Sequence, residues 1–180
     1  MTMRFFNTEG PVDCVRHYCL PPLERLDLPE VLLLIEQQKY FLLHAPRQTG
    51  KTTCLLALAD YLNQEGRYRA VYANIEVAQA YRKNVDKGMA AVVDQISQGA
   101  YYQTNDANAV PIAQDIIATS TGDTVVGEFL TRWCQQSPQP IVLLLDEVDS
   151  LVGDTLIALL RQLGAGYPQR PTLFPQTTIL

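Results

Sequence analysis

Two short stretches carry the residue types that handle phosphate chemistry. The first reads Ala45-Pro46-Arg47-Gln48-Thr49-Gly50-Lys51-Thr52-Thr53. It matches the pattern G-x-x-x-x-G-K-[ST] at every position but the first, where Ala45 stands in place of glycine. Each retained residue has a physical task. Gly50 lets the backbone turn tightly, so that successive amides converge on an anion. A helix opening at Lys51 adds its positive N-terminal end to the same place. Lys51 puts an ammonium between β- and γ-phosphates, and Thr52 offers a hydroxyl to Mg²⁺. The methyl group of Ala45 still leaves room for the turn. The expected ligand of residues 45–53 is a nucleoside triphosphate, ATP with Mg²⁺.

The second stretch is Ile141-Val142-Leu143-Leu144-Leu145-Asp146-Glu147. It reads as an apolar strand that ends in two carboxylates. A carboxylate at a strand tip beside a phosphate loop holds the metal, directly or through water, which is the role expected of Asp146. Glu147 directly follows and is placed to orient and deprotonate a water aimed at the γ-phosphate. That pair favours ATP hydrolysis. The alternatives are a nucleotide-binding module without catalysis and a kinase for a small substrate, which has no need of a water-activating Glu here. Asp149 is read as the cap of the following helix in preference to a supporting group of the site.

The elements that must position these residues alternate along the chain. Residues 1–27 read as irregular, broken by Pro11, Pro21 and Pro22, and residues 28–180 as the core domain. Asp27 caps a helix over 28–38, with Pro29 in its first turn. Residues 40–45 form a short apolar strand, 46–50 a loop, and 51–64 a helix stopped by Gly66. Residues 70–75 form a strand, and 81–102 are mostly helical. Residues 103–122 read as a connection with a helical turn or two over 111–118. A helix follows over 123–136, then a strand over 141–145. The next helix is expected over 151–163, ended by Gly164 and Gly166, and 177–180 begin a fourth strand. Alternating strands and helices imply a parallel sheet covered on both faces.

The bulk numbers exclude several classes. The net charge of −5 gives no global attraction to nucleic acid or to an anionic membrane, and a local basic patch leaves nucleic acid open as a partner that charge does not support. Arg67, Arg69, Arg82, Lys83 and Lys87 are scattered, as expected of solvated faces. Every apolar run falls well short of the roughly 20 residues of a membrane span, and the start shows no signal-peptide pattern, so the cytoplasm is the expected compartment. Cys14, Cys19, Cys54 and Cys134 read as reduced thiols. A metal site at Cys14, His17 and Cys19 lacks a second ligand pair at zinc spacing.

The strings HAPRQTGKTT and LLLDEVDSL, with RHYCLPPL ahead of the first helix, resemble bacterial AAA+-type ATPases of the AAA-like domain group. The resemblance covers residues 5–180. It implies a phosphate-loop NTPase fold: a three-layer α-β-α sandwich whose parallel strands run in the order 5-1-4-3-2. It also implies that residues 17–23 lie near the adenine, with Tyr18, Leu20 and Leu23 either walling that pocket or belonging to the core. A homo-oligomer or a protein partner is implied as well. Such ATPases continue with a sensor-bearing fourth strand, a fifth strand, an arginine finger and a helical lid. The chain stops at Leu180, inside the fourth strand, so the resemblance implies a C-terminally incomplete core with impaired turnover.

Overall fold

The structure, a computed structural model, describes residues 4–8, 10–46 and 48–180. In chain order the elements are α1 (Leu28–Glu36), α2 (Lys51–Glu65), β1 (Arg69–Asn74), α3 (Val85–Thr104), α4 (Ala109–Thr119), α5 (Val125–Gln136), β2 (Ile141–Asp146), α6 (Asp154–Gly166) and β3 (Thr177–Ile179). Short 3-10 turns sit between them, among them Pro22–Arg25, Glu76–Tyr81 and Val148–Ser150.

The strands form one parallel sheet in the order β1-β2-β3. β2 is central and every one of its residues is buried, which explains its unbroken apolar run. Side-chain alternation then divides the molecule into layers. Ile141, Leu143 and Leu145, with Val71 and Ala73, pack among α3, α4, α5 and α6. Val142 and Leu144, with Ala70 and Ile179, pack among α1 and α2. The expected arrangement of helices on both faces of a parallel sheet is what the structure has.

Several elements differ from expectation. Residues 40–45 do not form a ladder strand. Phe41 makes one parallel bridge to Ile179, with backbone bonds from Phe41 to Thr178 (3.2 Å) and from Leu43 to the Leu180 carbonyl (2.8 Å). Its neighbour β3 has only three residues, and no strand pairs its far edge among the described residues, so Leu42 stays exposed. β3 itself lies between β2 and Phe41, so the middle of the sheet is paired on both sides.

The region expected as a connection holds the full helix α4. Ala109, Ile112, Ala113 and Ile116 line its buried side at helical spacing. Pro111 sits in the first turn, where a missing N–H costs nothing.

α6 starts three residues later than expected and runs through Gly164 to Gly166. The 3-10 turn at Val148–Ser150 takes up the chain after β2. Asp149 lies in that turn and does not cap α6, whose N-cap is Gly153 with no side-chain bond.

Cys14 and Cys19 are joined in a disulfide, which corrects the expectation of four reduced thiols. A turn in which the Asp13 carbonyl accepts from the Arg16 and His17 amides folds the chain back and brings the two cysteines together. Among the described residues no group of three or more His, Cys, Asp or Glu side chains is placed to hold a metal ion. Arg69 is another correction. It pairs with the buried Asp106, which also accepts from the Trp133 indole at 2.8 Å.

Two outcomes follow from the packing. Gln162 is buried in α6. Its Oε1 accepts from the Val126 and Gly127 amides (2.9 and 3.1 Å), and its Nε2 donates to the Gly122 carbonyl (2.9 Å). Gln162→Leu strands those groups in the interior and should lower stability by about 1–3 kcal/mol in urea unfolding. The free thiols Cys54 and Cys134 are both buried, and burial pushes Cys134 up from 9.0 to about 12. At pH 8 both are therefore protonated and shielded. Iodoacetamide should label neither in the folded, oxidised protein and both once urea has unfolded it, counted by mass spectrometry.

Candidate functional site

Parallel strands bring their C-terminal ends to one edge, and the site is built there. Asp146 is the last residue of β2. Its alternation with Val142 and Leu144 turns it toward the layer that contains α2. α2 starts at Lys51, so its first turn meets the carboxylate. The Thr52 hydroxyl donates to Asp146 Oδ2 at 2.6 Å, and Lys51 Nζ lies 3.8 Å from Oδ1. The Asp146 side chain is fully buried, while Lys51 keeps 27% of its side chain exposed. The two separate stretches of sequence thus meet as expected.

The loop ahead of α2 has the backbone that its residues allow. Gln48 and Gly50 both take left-handed conformations, with φ of 60° and 82°. The Thr49 hydroxyl donates to the Pro46 carbonyl at 2.7 Å and closes the turn. Gly50 is the N-cap of α2 and supplies no side-chain bond. The first intrahelical bond runs from Cys54 to Gly50, so the amides of Lys51, Thr52 and Thr53 have no helical partner. Such amides, backed by the helix dipole, suit an anion. Ala45 is half-buried, and Arg47 lies outside the described residues.

Glu147 follows β2 with φ of 60°, an uncommon conformation for this residue type. Its amide donates to Asp146 Oδ1 at 3.0 Å. Asp149 is exposed and does not join the cluster.

Three further residues touch the site that the motifs did not reveal. Arg25, from the Pro22–Arg25 turn, donates to the Thr49 carbonyl. The Val12 amide donates to Thr53 Oγ1 at 3.2 Å and ties the N-terminal segment to the first turn of α2. Tyr72, in β1, donates its phenol to Asp146 Oδ2 at 3.1 Å. Burial, followed by the charge and hydrogen bond of Asp146, pushes that phenol far above its ordinary value, so it remains a donor. Strand alternation points to Tyr72 only once the register of β1 on β2 is known. Of the residues expected near an adenine, Tyr18 and Leu20 are exposed, and Leu23 packs against the core under α1 and α2.

A loop of this backbone, a lysine and a hydroxyl at a helix start, and a buried carboxylate facing them define a phosphate-loop nucleotide-binding protein. The model of the ATPase family associated with various cellular activities (AAA) matches residues 41–166, and the chain belongs to that family. No curated protein and no solved structure gives a significant match.

Gly50 is the position least open to change. A Cβ there would lie 2.6 Å from Arg25 Nη1, on a backbone already at φ of 82°. Gly50→Ala should therefore displace the Arg25 guanidinium. The left-handed strain alone should cost about 1–2 kcal/mol, read by urea unfolding.

Proposed function

We propose that this chain is the nucleotide-binding core of an AAA ATPase that binds ATP with Mg²⁺ and hydrolyses it. The observation that carries the reading is the 2.6 Å contact between Thr52 Oγ1 and Asp146 Oδ2, with Lys51 beside the same carboxylate. Membership of the AAA family supports ATP as the nucleotide.

The donor chemistry fits Mg²⁺. A hydroxyl and a carboxylate oxygen already share one spot, and this ion takes hard oxygen ligands. It commonly uses one or two protein carboxylates together with substrate phosphates, so a dedicated acidic cluster is not required. In this reading Thr52 and Asp146 hold the ion, which when bound neutralises charge that develops on the phosphates. The loop amides of residues 45–53 and the α2 N-terminus cradle the phosphates, with Ala45, Pro46, Arg47, Gln48, Thr49, Gly50, Lys51, Thr52 and Thr53 forming the loop. The Lys51 ammonium exchanges its contact with Asp146 for phosphate oxygens. Glu147 accepts a proton from the attacking water.

The parallel neighbours β1, β2, β3 and the bridged Phe41 segment support the 2-3-4-1 part of the 5-1-4-3-2 order, when strands are counted from the one before the phosphate loop. Val12 and Arg25, from the N-terminal segment, lie against the site and tie that part of the chain to it. A homo-oligomer or a complex with a protein partner is the setting that the family suggests, with the cytoplasm as the compartment. Among the described residues no helix is long and apolar enough to cross a membrane.

Titration calorimetry with ATP and Mg²⁺ tests the central claim, and wild-type protein that releases no binding heat would end it. Lys51→Ala should abolish binding. Glu147→Gln should keep ATP affinity and lower phosphate release by at least about 10²-fold. If phosphate release by wild type and Glu147→Gln is equal, the chain binds nucleotide without using Glu147 for chemistry.

A further inference from the structure

Asp146 Oδ2 accepts from two hydroxyls at once, Thr52 at 2.6 Å and Tyr72 at 3.1 Å. One of these belongs to the proposed metal site. The other has no assigned task. Tyr72 reaches the carboxylate because β1 and β2 are parallel and in register, with Tyr72 beside Leu144 and Asn74 beside Asp146. Tyr72 and Asp146 therefore share the face toward α2, one strand apart and two residues out of step. The ring is half-buried and packs with the α1–α2 core.

The backbone of Tyr72 is clamped as well. β1 is the edge strand, and Gln103 of α3 occupies that edge as a neighbouring strand would. Its Oε1 accepts from the Tyr72 amide at 2.9 Å, and its Nε2 donates to the Tyr72 carbonyl at 2.8 Å. Gly99, one turn earlier in α3, lets the helix lie against that carbonyl, where a Cβ would come within 2.7 Å. A phenol fixed at both its backbone and its ring can hold a carboxylate in one orientation.

We infer that Tyr72 is a positioning residue that holds Asp146 in the orientation needed for Mg²⁺ by donating to Oδ2. When a cation takes up the Thr52 oxygen, that hydroxyl no longer has to serve Asp146, and the Tyr72 hydroxyl remains as the fixed donor. Without it Oδ2 loses its fixed donor, and only the Glu147 amide on Oδ1 still orients the carboxylate. Tyr72 touches neither the nucleotide nor the attacking water, and acts only through Asp146. The inference rests on the ATP–Mg²⁺ reading above.

The test is nucleotide affinity by calorimetry, once with Mg²⁺ and once with EDTA, so that the metal-dependent gain is read directly. Tyr72→Phe keeps the ring and removes only the hydroxyl. Its affinity for ATP in EDTA should equal that of wild type, while the gain from Mg²⁺ should shrink about tenfold, as befits a lost hydrogen bond to a charged group. In an Asp146→Asn background, Tyr72→Phe should change the Mg²⁺ gain no further, since the two residues act as one unit. Tyr61→Phe removes an exposed phenol that bonds Glu65 and should behave as wild type. A second readout follows the tyrosine phenol itself. In wild-type protein carrying ¹³Cζ-labelled tyrosine, one resonance should move when Mg²⁺ is added to the ATP complex, and Asp146→Asn should abolish that movement.

An unchanged Mg²⁺ gain in Tyr72→Phe, or equal losses in Mg²⁺ and in EDTA, would overturn the inference while leaving the ATP reading intact. A wild-type protein whose ATP affinity is indifferent to Mg²⁺ would overturn the reading on which it rests.

Discussion

A buried negative charge has to be answered by its surroundings, and the Asp146 carboxylate is the charge that organises this fold. An ionised carboxylate without partners is expelled from a protein interior or gives up its charge. Asp146 has no exposed side-chain surface, yet each oxygen is engaged. Oδ2 takes two hydroxyls, and Oδ1 takes the Glu147 amide with Lys51 nearby. These partners come from α2, from β1 and from the chain just past β2. Three parts of the molecule must therefore be placed correctly before the charge is tolerable.

Their placement follows from ordinary packing. α2 is held on its face of the sheet by Leu55, Leu58 and Leu62, which bury against Val142, Leu144 and Ile179. That contact fixes how far the α2 start lies from the tip of β2. On the other face the larger core of α3, α4, α5 and α6 presses on Leu143 and Leu145 and on Val71 and Ala73. The polar site thus lies where two apolar cores end. Burying one fully apolar side chain contributes about 1.5–3 kcal/mol, so the many residues in these cores outweigh the cost of holding one carboxylate dry.

The motif residues were legible in the sequence because their chemistry is local. Gly50, Lys51 and Thr52 are adjacent, and Asp146 ends an apolar run whose burial is plain from composition. The partners that depend on register were not legible. Tyr72 becomes a neighbour of Asp146 only when β1 and β2 pair in one register, and a single-residue slip would send it to the other face. Arg25 reaches Thr49 through a turn that no periodicity announces. Other differences have local causes. The small and polar residues of 103–122 mask α4, although Ala109, Ile112, Ala113 and Ile116 lie at helical spacing. The start of α6 was placed too early because a 3-10 turn intervenes. The paired cysteines were read by compartment, whereas a local turn brings them together.

Glu147 is the left-handed residue that ends β2. Had β2 continued, residue 147 would have followed Ile141, Leu143 and Leu145 toward the α3–α6 layer, away from α2. Its φ of 60° breaks that alternation and ends the strand at Asp146. The conformation costs a non-glycine residue on the order of 1–2 kcal/mol. The bond from the Glu147 amide to Asp146 Oδ1 offsets part of that cost, because the acceptor is charged. Strain of this kind persists where the surroundings over-determine it, which is common at functional sites. Here the element that over-determines it is again Asp146. The carboxylate that faces Thr52 also pins the turn that aims Glu147, so the metal-side and water-side groups of the proposed site are set by a single residue.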